Sequence, residues 1–236
     1  MNKSPRNAVE WHSHIADDFS GKYSGKPAFV ERMKIWKDLI ETTFSKEDRV
    51  VDLGCGGGQF SVIAARSCHS VLSVDGSPEM LELCKQQAND AGVENVEFQG
   101  ADLNTFDSSS LQPCDGILLS SVVEYLDDLN GFLEKVSGAL TEGGKVIISM
   151  PNKCSLYRLT ETLVFKLSGR PTYRAFVKNM MSAKAFSNLL AEYSLEVKER
   201  RFYAPAPLLS RLFRSIGLRQ FSDNLFVVVA LKTNRK

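Results

Sequence analysis

The chain is poor in the features that would tie it to an oxidising or membrane setting. Its five cysteines, Cys55, Cys68, Cys84, Cys114 and Cys154, are an odd number with no Cys-x-x-Cys pair. That usage argues for reduced thiols and against a metal-ligand spacing. No stretch reaches the roughly 18 consecutive apolar residues that a membrane-spanning helix needs. Met1 to Glu10 is polar and charged, without the apolar centre of a secretory leader, so a cytoplasmic location is expected. Neither sign of charge dominates: 29 Lys and Arg stand against 28 Asp and Glu, a formal net charge of +1. That balance gives no global reason to expect nucleic acid or an anionic membrane as partner. Internal repeats and long low-complexity tracts are also missing. What is present is ordinary for a globular chain: 236 residues, 43% hydrophobic and 24% charged, enough for one sizeable α/β core.

The most informative stretch is Val50-Val51-Asp52-Leu53-Gly54-Cys55-Gly56-Gly57-Gly58-Gln59-Phe60. An apolar strand breaks into a glycine cluster and runs into an apolar helix, Phe60 to Ala65. Glycines permit a sharp turn and let a ligand approach the backbone, and the helix start offers unpaired N–H groups. Asp75 ends the next strand, Val71 to Asp75, about 20 residues beyond the first glycine. A carboxylate there suits a vicinal diol, because it accepts two hydrogen bonds, so an adenosine-containing ligand is expected. Gln59 occupies the place where a dinucleotide fingerprint wants its last small residue. Asp52 at the loop mouth would repel a pyrophosphate and attract a cationic ammonium or sulfonium.

Asp52-Leu53-Gly54-Cys55-Gly56-Gly57-Gly58 resembles the first motif of the class I S-adenosylmethionine-dependent methyltransferases, and the resemblance runs over residues 48–152. It implies a Rossmann-like α/β fold with a seven-stranded, mostly parallel sheet, helices on both faces, and a last strand inserted antiparallel between strands five and six. S-adenosyl-L-methionine is the implied cofactor. Asp52, Gly54, Gly56, Asp75 and Gly76 are then cofactor-binding residues. Met80 either packs on the adenine ring or is plain core. Ala101, Asp102 and Leu103 are expected beside the adenine, with Asp102 accepting its amino group or, alternatively, capping a turn. Ser120 is expected at the methionine end.

Periodicity places the other elements. Apolar positions three or four apart predict a helix over Phe29–Thr43. Ser77 is a good N-cap and Pro78 a good first helical residue for a helix closed by Gly92. Val96–Gln99, Gly116–Ser120 and Lys145–Met150 read as strands three, four and five, with a helix over Leu129–Leu140 and a Glu142-Gly143-Gly144 turn. Short apolar strands separated by helices predict a parallel sheet buried on both faces. Right-handed crossovers then bring the glycine loop, Asp75, Asp102 and Ser120 to one edge. Later elements are helices over Ser155–Ser168, Ser182–Tyr193 and Pro207–Leu218 and strands over Leu195–Tyr203 and Leu225–Leu231.

The domain reading is an N-terminal cap segment and helix, 1–45, and a methyltransferase domain, 46–236, with a lid insertion at about 152–181. The lid is basic and aromatic (Arg158, Lys166, Tyr173, Arg174, Phe176, Lys178) and suits an anionic or aromatic acceptor, a peripheral membrane contact or simple solvation. The resemblance is to quinone-biosynthesis and related small-molecule O-methyltransferases. Those carry Glu-His where this chain has Glu124-Tyr125, and some carry an acid at the position of Ser121 that helps hold a metal, so no metal is expected here. A small-molecule acceptor is expected, with O-methylation as the reaction. His12, His14, Glu124 and Tyr125 are candidate bases, and His12, His14 and Tyr23 candidate substrate contacts. Two other readings stand. Ile15-Ala16-Asp17-Asp18-Phe19, Trp36 and Gly58-Gln59 are loosely similar to enzymes that methylate a modified wobble uridine in tRNA, with the lid and C-terminal arginines as a local patch. A non-catalytic cofactor-binding protein on the same fold is the other.

Overall fold

The structure is a computed structural model, and it describes residues 5, 7–14, 27–106, 112–205 and 210–234. Two helices, α1 (Ala8–His14) and α2 (Pro27–Thr43), lead into β1 (Arg49–Leu53), α3 (Gln59–Ala65), β2 (Ser70–Asp75), α4 (Pro78–Asp90) and β3 (Val96–Gly100). Next come β4 (Cys114–Leu119), a 3₁₀ turn (Val123–Tyr125), α5 (Leu129–Ala139), β5 (Leu140–Pro151) and α6 (Leu156–Ser168). A second 3₁₀ turn (Thr172–Phe176), α7 (Ala183–Glu192), β6 (Leu195–Pro205), α8 (Ser210–Ser215), α9 (Arg219–Ser222) and β7 (Asp223–Lys232) complete it.

The seven strands form one sheet in the order β3-β2-β1-β4-β5-β7-β6. β1 pairs in parallel with both β2 and β4, so the strand order reverses between β1 and β4. β7 lies antiparallel between β5 and β6, as expected. The central strands are buried on both faces and alternate between two cores. Ile117, Leu119, Val146 and Ile148 face a core that includes Phe132, Leu133 and Phe186 of α5 and α7. Leu118 and Ile147 face the opposite core, with Trp36, Leu39 and Ile40 of α2 and Phe60 and Ala64 of α3. Trp36 stacks on Phe60 with centroids 4.8 Å apart, and its indole N–H donates to the Tyr203 hydroxyl at 3.4 Å. These contacts pin α2 to the sheet.

Local chemistry sets the helix starts. Ser77 accepts from the Met80 N–H at 3.1 Å, and Pro78 occupies the first turn of α4. Asp128 caps α5 by accepting from the Gly131 N–H at 2.9 Å. Several boundaries differ from expectation. β5 begins at Leu140, so the Glu142-Gly143-Gly144 turn lies within the strand and α5 ends at Ala139. Ser120 falls just past β4 rather than inside it. Within the helix expected over Pro207–Leu218, α8 ends at Ser215, ahead of Gly217, which takes a left-handed conformation (φ 79°), and the separate short α9 follows beyond the expected span. The first residues of that span, 207–209, lie outside the described residues. Among the described residues, no helix is long and apolar enough to cross a membrane.

Candidate active site

A cavity of about 370 Å³ opens past the carboxyl ends of β1, β2 and β4, at the point where the strand order reverses. Its volume lies in the ~300–1,000 Å³ range of small-ligand sites. Asp52, Gly54, Gly56, Asp75, Gly76, Met80, Asp102, Leu103, Ser120, Glu124 and Tyr125 all border it. Ala101 does not; it packs against the core on the α5 side of the sheet.

The glycine loop folds around Asp75. Its Oδ2 accepts from the Gly56 N–H at 2.9 Å and its Oδ1 from the Ser77 N–H at 2.9 Å. A carboxylate has about four acceptor positions, so two remain for a diol in the cavity. Burial raises the Asp75 pKa, and the backbone N–H donors oppose that rise. Gly54 needs its positive φ (76°), and a Cβ there would sit 2.4 Å from Val122 Cγ2. Met80 is fully buried behind the loop.

Asp52 is almost completely buried and accepts from Ser61 Oγ at 2.6 Å. Burial pushes its carboxyl up to about 7; the Ser61 hydrogen bond opposes this and the Asp75 charge adds to it. The acid expected as a fixed negative charge therefore titrates near neutrality. Asp102 is exposed at the cavity rim, and its Oδ1 accepts from the Asn104 N–H at 3.0 Å, the turn-capping alternative. Ser120 Oγ accepts from Arg32 Nη2 at 2.6 Å.

The other end of the cavity is aromatic and charged. Trp11, Phe29, Tyr125 and Tyr173 border it together with Arg32, Arg158 and Glu124. Arg158 Nη1 donates to Glu161 Oε2 at 2.6 Å and to the Tyr173 hydroxyl at 2.8 Å, which in turn donates to Glu161. Glu124 is buried, and burial raises its pKa to about 7 against the pull of Arg32 and Arg158. Burial also moves the Tyr125 pKa up. Helix α1 borders the cavity through Ala8, Val9 and Trp11: Ser13 Oγ lies 2.8 Å from both Ser77 Oγ and Glu79 Oε2, within hydrogen-bond reach of either, while the Trp11 ring lies 6.4 Å from that of Tyr173. His12 and His14 belong to α1, but their side chains, like Ile15–Phe19 and Tyr23, lie outside the described residues. Among the described residues, no cluster of three or more His, Cys, Asp or Glu is arranged to hold a metal.

Arg32 was missed by sequence reasoning, although a signal was there. It lies three residues past Phe29 and four before Trp36, inside the apolar stripe of α2, so its guanidinium must point inward. It sits 5.5 Å above the Phe60 ring. Gln59, not expected among the cofactor-binding residues, also borders the cavity.

This fold and this edge cavity define a class I methyltransferase. The profile of the methyltransferase domain family matches residues 44–193, and the chain belongs to that family. A ubiquinone biosynthesis O-methyltransferase of Xanthomonas axonopodis pv. citri is 25% identical over 171 residues, covering 72% of this chain and 62% of that protein. The chain thus spans about six-tenths of the length of that relative. A trans-aconitate 2-methyltransferase of Methylobacterium radiotolerans is 29% identical, covering 74% of this chain and 70% of that protein. In fold, the chain resembles an N-methyltransferase of Bradyrhizobium japonicum solved with S-adenosyl-L-homocysteine. The TM-score is 0.70 at 14% identity, over 97% of this chain and all of that one.

Proposed function

We propose that the chain transfers a methyl group from S-adenosylmethionine to a hydroxyl oxygen of a small-molecule acceptor. One observation carries the proposal. A single cavity joins the Asp75-bound glycine loop at one end to the Arg32–Glu124–Tyr125–Tyr173 cluster at the other. Cofactor and acceptor can therefore meet without crossing solvent.

The donor set fits the cofactor. Asp75 offers its two remaining acceptor positions to the ribose hydroxyls, Met80 and Leu103 offer apolar surface to the adenine, and Asp102, beside Ala101, its carboxylate to the amino group. Asp52, with Gly54, Gly56 and Gly76 around it and Ser120 opposite, holds the ammonium-bearing methionine end. S-adenosylmethionine, when bound, supplies a methyl group already electrophilic on its sulfonium. The protein's part is to align the acceptor with that carbon and exclude water, worth about 7–11 kcal/mol. Helix α1 and the segment 152–181 act as cap and lid by closing the mouth through Trp11 and Tyr173. The ubiquinone biosynthesis O-methyltransferase relative supports an oxygen acceptor.

Calorimetry with S-adenosylhomocysteine tests the cofactor half: the wild type binds, and Asp75→Ala loses at least about tenfold in affinity, having given up two charge-assisted hydrogen bonds. No binding by the wild type at millimolar ligand would sink the proposal. Methyl-labelled cofactor and a cell extract test the other half. Label is expected in small molecules; label in RNA alone or lipid alone would replace the acceptor class.

A further inference from the structure

The turn that follows β4 holds one buried carboxylic acid in the wall of the cavity. Val123–Tyr125 is a single 3₁₀ turn, entered through Ser121 in a left-handed conformation (φ 59°) whose N–H donates to Ser149 Oγ at 2.8 Å. Glu124, on that turn, is only 4% exposed and borders the cavity. Its Oε2 is buried and has no hydrogen-bond partner among the described residues. A buried, unpartnered carboxylate oxygen is costly, and sites that retain one use it.

The turn's backbone is fastened from outside. The Lys178 and Asn179 N–H groups both donate to the Glu124 carbonyl, at 2.7 and 3.1 Å. The Asn179 side-chain amide donates to the Val123 and Leu126 carbonyls, both at 2.8 Å. Two consecutive residues of the 152–181 segment thus satisfy three carbonyls of one turn.

We infer that Glu124 is the proton acceptor of the methyl transfer and that Asn179 is the residue that positions it. The inference rests on the methyl-transfer reading of the cavity given above. In the step, the acceptor O–H bond breaks and its proton passes to the Glu124 carboxylate. The oxygen's electron pair forms the new O–CH₃ bond, while the carbon–sulfur bond breaks with its pair left on sulfur. Glu124 then returns the proton to solvent. The groups facing this carboxyl are Arg32 of α2, Arg158 of α6, Ser121 and Tyr125 at the same turn, and Tyr203 of β6. The arginines favour the ionised form and burial disfavours it, which leaves the group titrating at about 7. Tyr125 is driven the other way from a base: burial keeps it protonated.

The test has a readout independent of turnover. Infrared spectra of the S-adenosylhomocysteine complex are taken across pH for the wild type and Glu124→Gln, and their difference, in which the Asp52 band cancels, is expected to hold a carboxyl band with a midpoint near 7. A midpoint below pH 5, or no carboxyl band in that difference, overturns the inference. Asn179→Ala loosens the turn and hydrates the carboxyl, so the midpoint falls by roughly one pH unit. An unmoved midpoint removes Asn179 from its role. In transfer of labelled methyl to a small-molecule extract, Glu124→Gln falls about a hundredfold or more and loses the rise in rate across pH 7. Activity within threefold of wild type overturns the role of Glu124. Glu124→Gln still binds S-adenosylhomocysteine, so lost binding in the wild type sinks the cofactor reading and takes this one with it. Wild-type binding with a flat pH profile sinks this one alone.

Discussion

Gly58 is the tightest point of the loop. Its φ is +83°, and a Cβ would lie 2.5 Å from Cys84 Sγ and 2.9 Å from the Cys84 Cα. A side chain there meets backbone as well as sulfur, so α4 itself must shift. Gly92 also has a positive φ (63°), but nothing stands within 4 Å of its added Cβ. Gly58→Ala is therefore expected to cost about 3 kcal/mol, from strain and overpacking together, and Gly92→Ala about 1 kcal/mol from strain alone. Urea unfolding of both variants checks the difference; equal losses would remove the packing argument. The need for glycine at position 58 was legible in the sequence, and so was the spacing to Asp75. What Asp75 touches was not, because its bonds to Gly56 and Ser77 join segments that approach only when β1 and β2 pair. The titration of Asp52 was illegible for a similar reason. Burial sets it, and burial belongs to the packed molecule.

At the scale of elements, periodicity located nearly every strand and helix, and it misjudged how the charged ones are used. The arginines near the C-terminus read as a basic patch. In the fold, Arg214 donates to both Asp223 oxygens, at 2.9 and 2.8 Å, and pairs with Glu31 of α2 at 2.8 Å. Arg219 reaches Glu31 at 3.3 Å and Asp223 at 3.4 Å. These two cations are engaged in tying α8 and α9 to α2 and to the start of β7, which weakens the RNA-binding alternative. Asp223 is fully buried, so removing its closer partner leaves a poorly compensated charge. Arg214→Ala is expected to destabilise by about 3 kcal/mol and Arg219→Ala, at an exposed and longer pair, by no more than about 1 kcal/mol. Chemical denaturation orders them; the reverse order would show Arg219 to be the main tie. Helix α6 gives the opposite lesson. Its leucines and valine at helical spacing are presented to solvent, with Leu163 60%, Val164 51% and Leu167 81% exposed. Amphipathic spacing identifies a face and leaves its neighbour undetermined.

For the whole molecule, the site is a standing cost to stability. Burial pushes Asp52 up to about 7 in the folded chain, against an ordinary value of 3.8. Between those values the folded state holds a proton that the unfolded state has released, so stability declines as pH rises through the window and levels off above 7. The rise from 3.8 to about 7, at 1.36 kcal/mol per pH unit, sets an upper bound of about 4 kcal/mol on the penalty carried above neutrality. Asp52→Asn removes the titration and retains an oxygen to accept from Ser61. Its stability relative to wild type is therefore expected to grow from pH 5 to 7 and to stay constant from 7 to 9. Thermal or urea unfolding across pH measures this, and a pH-independent difference would show that Asp52 is not the group concerned. A ligand bearing an ammonium beside Asp52 favours the ionised acid and offsets the same cost. Saturating S-adenosylhomocysteine should accordingly raise the melting temperature of the wild type more at pH 8 than at pH 6, and that pH dependence should vanish in Asp52→Asn. The instability of the empty fold and its affinity for a cationic cofactor would then share one origin, a carboxylate kept from water at the point where the sheet reverses its strand order.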